Sequence, residues 1–320
     1  MSAFTDTTGA FGPSAPVLSY SPVTLSVPGR PVELQVRVSA PVTGTGLPVV
    51  LFSHGHGGSN NLSSLNGYAP LANLWAAAGF TVLQPTHLSS RTLARRLAGA
   101  PGGPFFWRSR AEDMSHVLDR LDEIENTVPG LAGRLDHDRV AVAGHSLGGH
   151  TASLLLGART TDPDTGTEAD LSEPRIKAGV LLAAPGRGGD ILNGPMADKV
   201  PFFHATDFST MTTPTLVVVG DKDDSRHFTD IGPDWHADPF HLAPTPKTLL
   251  TLFDAEHLLG GISGYDADET TDEDPGRVAA LGRLAAAYLR TQLQPDPYAW
   301  QAACEALTTG AAPVGQVECK

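Results

Sequence analysis

The sequence predicts an α/β fold built on a mostly parallel central sheet with helices on both faces. Strand-length apolar runs alternate with stretches of helical spacing over most of the chain. The first of these runs, Leu47–Phe52, is apolar without interruption, as is typical of a strand covered on both faces. Later in the chain, a glycine-flanked turn joins another such run directly to a helical stretch, which is the connection expected in a sheet of this kind.

Two antiparallel strands are expected before the parallel part of the sheet. Val23–Val27 and Val32–Val38 alternate apolar and polar residues, the pattern of half-exposed strands, and Pro28-Gly29 between them supplies a hairpin turn. Residues 1–20 are rich in Ser, Thr, Gly and Pro, so we expect them to cover the surface as a loose segment.

The parallel sheet is predicted from Leu47 onward. After its first strand, Tyr68–Ala78 has helical spacing, Thr81–Gln84 is a short strand, and a second helix follows. The apolar face of that helix consists of Met114, Val117, Leu118, Leu121 and Ile124. The remaining strands are predicted at Arg139–Ala143, Ala178–Ala183, Thr215–Val219 and Thr248–Phe253.

The last strong helix is predicted to begin at Asp274-Pro275, a capping residue followed by proline at the first helical position. Its apolar face continues through Val278, Leu281, Ala285, Tyr288 and Leu289. The acidic cluster at 266–273 lacks the glycine that an EF-hand calcium loop needs at its sharp turn. We therefore expect this cluster to be a solvated loop rather than a calcium site.

One domain is the expected organisation. The 320 residues, 41% of them hydrophobic, are enough to bury one large core. We assign that core to residues 21–295, with cap-like insertions at about 185–214 and 225–246. Residues 296–320 are expected to form a C-terminal tail.

Both cysteines of the chain, Cys304 and Cys319, lie in this predicted tail. Paired, they would close a loop of about 15 residues and contribute on the order of 3 kcal/mol. The alternative is two reduced thiols, and one pair is too few to identify the redox compartment.

The charge of the chain excludes some classes of partner. There are 22 Lys and Arg against 35 Asp and Glu, a formal charge of −13, with no basic block. Nucleic acid and anionic membranes are therefore not expected partners. No apolar run of about 18 residues occurs, and no charged n-region precedes Arg30, so we expect a cytoplasmic protein that is not inserted in a membrane. A secreted protein whose leader had been removed would look the same, and the oligomeric state stays open.

The most informative motif is the pentapeptide Gly144-His145-Ser146-Leu147-Gly148. It follows a predicted strand and precedes a predicted helix, which is the context of a nucleophile elbow. A serine on so sharp a turn needs neighbours without side chains, which explains Gly144 and Gly148. The alternative is a glycine-rich turn that only joins the strand to the helix.

A nucleophilic serine needs a base and a carboxylate that orients the base. In the chain order expected for an elbow serine, the acid comes before the histidine. Asp223, at the end of the strand Thr215–Val219, is the predicted acid, with Asp224 and Asp221 as alternatives. All of these are loop positions at the carboxyl end of a parallel strand, where open α/β sheets bind ligands.

His257 is the predicted base because it combines the correct chain order with a position after the last predicted strand. Glu256 adjoins it and lies on the wrong side of it to act as the acid. His145, beside the predicted nucleophile, is expected to pack or to hydrogen-bond locally.

An acyl transfer also needs N–H donors for the developing oxyanion. The Leu147 amide follows the predicted nucleophile. The His56 amide lies in the glycine-rich segment Ser53–Gly58 after the first parallel strand, which we call the oxyanion segment. The glycine spacing of this segment matches no phosphate-binding loop. His54 and His56 lack the further ligands that a zinc site needs, so no metal and no cofactor are expected.

Aromatic residues of the two insertions and of one loop are candidates for the substrate pocket. Insertions at strand ends commonly line the pocket in such a sheet, although these residues would also serve to pack the loops. The candidates are Phe106, Trp107, Phe203, Phe208 and Trp235.

Together, these motifs resemble the α/β-hydrolase family of serine hydrolases over roughly Leu47 to Leu293. The segments Ser53–Gly58 and Asp138–Gly149 are similar to the branch that contains chlorophyllase-like esterases, platelet-activating-factor acetylhydrolase-like enzymes and dienelactone hydrolases. The resemblance implies an α/β-hydrolase fold with a short loop-rich cap and a Ser-His-Asp esterase without a cofactor. Dienelactone hydrolases use a cysteine where Ser146 stands, which argues against that activity.

We therefore expect a carboxylic ester hydrolase that works through an acyl-enzyme intermediate and whose small-molecule substrate is an ester or a lactone. An amidase or peptidase and an acyltransferase are alternatives, because they share the same three catalytic side chains. A binding protein that has kept the fold without turnover is a further alternative. Polyester hydrolysis, suggested by the cysteine pair of secreted cutinases, is a minor one, since the elbow and oxyanion segments differ from theirs.

Overall fold

The computed structural model describes residues 15–294, 296–309 and 313–320. Its strands are β1 Val17–Leu25, β2 Leu34–Pro41, β3 Leu47–Ser53, β4 Thr81–Pro85, β5 Leu135–His145, β6 Arg159–Thr161, β7 Glu168–Asp170, β8 Ile176–Leu182, β9 Thr215–Gly220, β10 Lys247–Leu252 and β11 Gly315–Cys319. Its α-helices are α1 Ala69–Ala77, α2 Trp107–Leu118, α3 Leu121–Thr127, α4 Leu147–Leu155, α5 Asp234–Leu242, α6 Pro275–Leu293 and α7 Ala299–Thr309.

Nine strands form one mixed sheet in the order β1-β2-β4-β3-β5-β8-β9-β10-β11. The six strands from β4 to β10 in this order are mutually parallel. The edge strands β1 and β2 at one side and β11 at the other run antiparallel to their neighbours. The predicted mostly parallel α/β sheet with antiparallel N-terminal strands is confirmed.

Helices cover both faces of the sheet because residues along each central strand alternate between two cores. In β3, Val49 and Leu51 pack on the side of α2, α3, α4 and α5, whereas Val50 and Phe52 pack on the side of α1, α6 and α7. All four of these side chains are buried. A strand with apolar residues at every position is therefore required at the centre of the sheet.

The ends of the central strands lie close to their predicted positions, and Asp274 caps α6 by accepting a hydrogen bond from the backbone N–H of Arg277. The predicted helix around Met114–Ile124 is two helices, since the chain leaves helical geometry at Arg120, whose φ is −122°. The first strand also begins earlier than predicted, at Val17, within the segment expected to be loose. Residues 1–14 of that segment lie outside the described residues.

The C-terminal segment is more ordered than the predicted tail. Helix α7 packs on α6, with the rings of Tyr288 and Trp300 5.5 Å apart, and β11 pairs with the edge of β10. Cys304 and Cys319 are free thiols, so the disulfide alternative is not formed. In the described part of the chain, no helix combines the length and the apolar character needed to cross a bilayer.

Candidate active site

Ser146 lies between the end of β5 and the start of α4 on a strained backbone. Its φ of 54° and ψ of −121° are in a region that residues with a side chain rarely adopt. A Cβ at Gly144 would lie 2.0 Å from the carbonyl oxygen of Gly148, and a Cβ at Gly148 would lie 2.0 Å from that of Ser53. The two glycines are therefore required by close backbone contacts, as the motif predicted. The turn displays the half-buried Ser146 at the carboxyl end of the sheet.

Asp223 and His257 meet beside this turn. The Nδ1 of His257 lies 2.7 Å from Oδ2 of Asp223. Their loops follow the adjacent strands β9 and β10 and approach so closely that a Cβ at Gly220 would lie 2.2 Å from the carbonyl oxygen of Ala255. The Asp223 side chain is 2% exposed, whereas that of His257 is 33% exposed. The histidine is thus accessible and its acid partner is not.

The two alternative acids lie apart from this pair. Asp224 is exposed and forms an ion pair with the exposed Arg226. Asp221 is half-buried at the start of the loop, and its backbone N–H donates to the carbonyl of Leu252. Of the three candidate carboxylates, Asp223 is the one that contacts a histidine.

Electrostatics keep the Asp223–His257 pair polarised. Burial alone would raise the pKa of Asp223, but the charges of His257 and His236 and the hydrogen bonds from both rings hold it well below its ordinary value. Burial would lower the pKa of His257, but the charge and hydrogen bond of Asp223, assisted by Asp272, raise it. Asp223 therefore remains an anion that stabilises a proton on His257.

His145 connects the elbow to the two neighbouring loops. Its Nε2 donates to the carbonyl oxygen of His257 at 2.8 Å, so Nδ1 is left to accept from the hydroxyl of Tyr68 at 2.9 Å. The same hydroxyl accepts from the backbone N–H of Gly55 at 2.9 Å. Burial lowers the pKa of His145 to about 3, with the charge of His257 as the next cause, which fits this neutral tautomer. His145 thus forms the local hydrogen bonds expected of it. These bonds hold the loop of His257 and the oxyanion segment against the turn of Ser146.

No direct hydrogen bond joins Ser146 Oγ to His257 Nε2 among the described residues. In ligand-free enzymes, such hydrogen bonds are often long and shorten only with substrate present. The link through His145, whose ring centre is 5.0 Å from that of His257, places His257 next to the turn of Ser146.

The two predicted oxyanion donors flank the elbow. Leu147 is the first residue of α4, so its N–H has no partner one turn earlier in the helix. His56 follows Gly55 in the segment held by Tyr68. In the described residues, neither N–H donates a hydrogen bond to another backbone group.

A further Ser-His-Asp arrangement begins at Ser53, the first residue of the segment Ser53–Gly58, and was not predicted from the sequence. Ser53 Oγ is 2.9 Å from His87 Nε2, and His87 Nδ1 is 2.9 Å from Asp113 Oδ2. Arg30 forms an ion pair with Asp113 at 2.8 Å. Ser53 and His87 are 0% exposed and Asp113 is 1% exposed, so no substrate reaches this serine. The arrangement fixes the end of β3 instead.

Arg110 is buried next to this network and joins β3 to α4. Its guanidinium donates to Ser53 Oγ at 3.1 Å, to Ser89 Oγ at 2.6 Å and to Thr151 Oγ1 at 3.0 Å, and also to the carbonyl oxygen of His54. Burial lowers the pKa of Arg110 to about 9, against the opposing charges of Tyr68 and Asp113. Arg110 is therefore still charged at neutral pH and braces the oxyanion segment.

Several side chains near Ser146 are of types that can bind a metal ion. His54 has both ring nitrogens in hydrogen bonds, to the Gly55 carbonyl and from the His87 N–H, so it offers no free ligand atom. Asp223, His236 and His257 bring three ligand atoms within 4.8 Å of one another. These atoms already form hydrogen bonds within the set, which we interpret as a hydrogen-bond network.

The acidic cluster at 266–273 is not only a solvated loop. Glu269 accepts hydrogen bonds from the backbone N–H and hydroxyl of Ser59, next to the oxyanion segment. Asp272 accepts from the backbone N–H groups of Glu256 and Gly260, on either side of His257. These carboxylates therefore hold the loops that carry the predicted base and one predicted oxyanion donor.

The five aromatic residues predicted to line the pocket divide into groups. Trp107, Phe203 and Trp235 belong to one apolar cluster with Leu147, the residue after the predicted nucleophile. Phe208 instead packs in the large core on the α2 side of the sheet. Phe106 packs with two leucines in a small separate cluster. The cluster around Leu147 also contains Phe202 and, at its edge, Phe105, which the sequence analysis did not select.

Neither a scan against protein-family models nor a search among curated proteins gives a match to this chain. The geometry and electrostatics around Ser146 are therefore the basis for assigning a function.

Proposed function

We propose that this chain is a serine esterase of the α/β-hydrolase fold that cleaves carboxylic esters, lactones included. The observation that carries the proposal is the 2.7 Å contact between His257 and the buried Asp223 beside the strained turn of Ser146. The three side chains follow β5, β9 and β10, whose carboxyl ends lie at one edge of the sheet. A nucleophile, a base and an orienting acid in this order support acyl transfer.

In the first half of the proposed reaction, Ser146 Oγ bonds to the ester carbonyl carbon while His257 Nε2 takes the hydroxyl proton. The carbonyl oxygen becomes an oxyanion, which accepts hydrogen bonds from the Leu147 and His56 amides. When the tetrahedral intermediate collapses, the C–O bond to the alcohol breaks and His257 returns the proton to the leaving oxygen. The acyl group is then an ester of Ser146.

In the second half, water bonds to the acyl carbon while His257 takes one of its protons. Collapse releases the carboxylic acid and returns the proton to Ser146 Oγ, which restores the enzyme. Asp223 remains ionised throughout and stabilises the imidazolium of His257. No metal or cofactor takes part in this scheme.

The surroundings of Leu147 support an ester with an apolar group. Trp107, Phe203 and Trp235 pack in one cluster with Leu147, and the Phe202 ring stacks on Trp107 with centres 6.1 Å apart. An apolar acyl or alcohol group beside Ser146 would extend this cluster. We infer a small-molecule substrate of this type and a cytoplasmic location.

A fluorophosphonate probe tests the proposal directly. It should label the wild-type protein on Ser146, as located by mass spectrometry, and should leave Ser146→Ala unlabelled. Ser146→Ala should also lose hydrolysis of p-nitrophenyl esters, whereas matched anilides should be poor substrates of the wild type. Labelling that persists in Ser146→Ala, or faster cleavage of anilides than of esters, would contradict the proposal. Acyl transfer to an added alcohol in preference to water would indicate the acyltransferase alternative.

A further inference from the structure

Asp223 is contacted by two imidazoles, not one. In addition to His257, the Nε2 of His236 lies 3.1 Å from Oδ2 of Asp223. His236 is on α5, within the second insertion, and its side chain is 1% exposed. The hydroxyl of Ser225 completes the group, 3.1 Å from Oδ1 of Asp223 and 2.7 Å from His236 Nε2.

The donors and acceptors in this group fix the protons of His236. Its Nδ1 is 2.7 Å from the carbonyl oxygen of Ala184, which can only accept, so Nδ1 carries a proton. In a neutral ring, Nε2 would then direct a lone pair at the carboxylate of Asp223. In the imidazolium, Nε2–H donates to the Ser225 hydroxyl and that hydroxyl donates to Oδ1 of Asp223, while the charged ring lies at ion-pair distance from Oδ2. A neutral ring would instead accept the Ser225 proton at Nε2, which would leave Oδ1 of Asp223 without this donor and place a lone pair 3.1 Å from Oδ2, so the contacts favour the charged ring.

The backbone conformation of Ser225 also supports this arrangement of side chains. Ser225 has a φ of 38°, in the left-handed region that is costly for a residue with a side chain. This strained conformation directs its hydroxyl between Asp223 and His236. Of the two residues before Ser225, Asp223 is buried and Asp224 is exposed.

We propose that His236 is held as a buried imidazolium that clamps the Asp223 carboxylate and acts as a positioning residue for His257. This inference rests on the proposed esterase function. The positive charge of His236 partly neutralises Asp223, and the ring centres of His236 and His257 are 5.6 Å apart. His257 is therefore a weaker base than Asp223 alone would make it, and it is available in its neutral, proton-accepting form at lower pH.

Several other charged or titratable groups face His236 from the elements packed around it. From the elbow comes His145, and from the loops after β8, β9 and β10 come Arg187, Asp223 and His257. Asp238, two residues further along α5, is paired with Arg187. Of these groups, Asp223 is the one that forms an ion pair with the His236 ring.

The pH dependence of kcat/KM tests the clamp with His236→Gln. Glutamine keeps an N–H for Asp223 but has no charge. The acid limb of the profile should therefore move to higher pH by on the order of one unit, which lowers kcat/KM approximately tenfold at pH values below the limb. His241→Gln is the matched control, because it removes an exposed imidazole from the same helix. The control profile should coincide with that of the wild type. A loss of kcat in His236→Gln with an unmoved acid limb would mean a structural role only and would overturn the proposal.

Nitrogen-15 NMR of histidine-labelled protein tests the charge itself, with His236→Gln used to assign the signal. Both ring nitrogens of His236 should be protonated at neutral pH, and an unprotonated Nε2 would overturn the proposal. Fluorophosphonate labelling separates this result from the esterase assignment. If Ser146 is labelled in wild type and in His236→Gln but the acid limb of the kcat/KM profile does not move, the proposal for His236 is contradicted and the esterase assignment is not. If Ser146→Ala remains active, the esterase function fails whatever the state of His236.

Discussion

At Asp223, burial and hydrogen bonding act in opposite directions on one carboxyl group. A side chain with 2% exposure would ordinarily favour the neutral acid, since desolvation penalises the charge. Two imidazoles reverse this preference and hold the pKa of Asp223 well below its usual range. A fixed anion results at the position where His257 needs an acceptor for its Nδ1–H.

Replacing Asp223 with asparagine should therefore abolish most of the activity. The amide gives Nδ1–H of His257 a weaker acceptor and permits the wrong tautomer of the base, so kcat should fall by about 10³- to 10⁴-fold. Asp224→Asn is the control, because Asp224 is exposed and pairs with the exposed Arg226, and it should remain within a few-fold of wild type. Steady-state kinetics on a p-nitrophenyl ester measure both. An inactive Asp224→Asn beside an active Asp223→Asn would reassign the acid.

The sequence was sufficient to predict that Ser146, Asp223 and His257 lie at the carboxyl ends of parallel strands, because each follows an apolar strand. It was not sufficient to find His236, which lies in a loop-rich insertion with no recognisable pattern around it. His87 and Asp113 were missed for the same reason, since their partners are distant in sequence. A partial signal for His87 existed, because it directly follows the short strand β4, as His257 follows β10.

At the scale of elements, the elbow depends on how closely β3, β5 and α4 approach one another. Gly148, in the first turn of α4, has the carbonyl of Ser53 against its Cα. Gly144, at the end of β5, is in the same position relative to Gly148. Backbone atoms cannot move aside by a change of rotamer, as the end of a flexible side chain can.

The Gly148→Ala variant should accordingly be destabilised and inactive. Its Cβ would lie 2.0 Å from the Ser53 oxygen, so α4 or the oxyanion segment must shift. We expect a loss of about 2–4 kcal/mol in the free energy of unfolding and at least a 100-fold loss in kcat/KM. Gly58→Ala is the control for stability, because its nearest neighbour would be a Glu269 oxygen at 3.8 Å. Urea unfolding of both variants measures the difference, and equal stability would contradict the packing argument.

Arg110 joins elements rather than residues, since it contacts the loop after β3, the loop after β4 and helix α4. Arg110→Met should remove about 3–5 kcal/mol from the free energy of unfolding. The variant takes a nearby positive charge from Asp113 and takes the hydrogen-bond donor from four buried oxygen atoms. Arg108→Met is the control on the same helix, where a 41% exposed side chain pairs with Asp162, and should cost less than about 1 kcal/mol. Similar values for the two variants, measured by urea unfolding, would show that the buried guanidinium is not a brace.

The elements that could be predicted are those with continuous apolar runs or clear caps. The strands β3, β9 and β10 were placed to within about two residues because every position of each is buried or nearly so. The elements that were missed have little apolar periodicity. The antiparallel pair β6 and β7 has three residues per strand, and β11 is a mostly exposed edge strand.

For the whole molecule, the sheet order brings the candidate site together. Strands β5, β8, β9 and β10 are consecutive neighbours and parallel, so the loops after them meet at one edge although their residues are more than a hundred positions apart. Helices on both faces leave that edge as the accessible one. The position of β10 near the border of the sheet makes its partner on the other side important for His257.

That partner is β11, and deleting residues 313–320 tests its role. Deletion would expose the edge of β10 and remove the paired backbone hydrogen bonds between Lys247 and Lys320. We expect a lower melting temperature and self-association, because an unpaired, apolar edge strand recruits other chains. The double variant Cys304→Ser, Cys319→Ser is the control, since it keeps β11 and removes only two free thiols. Thermal unfolding and size-exclusion chromatography measure both proteins. A truncated chain that keeps the oligomeric state and the melting temperature of the wild type would mean that the α6 and α7 side of the sheet alone holds β10, and hence the loop of His257, in place.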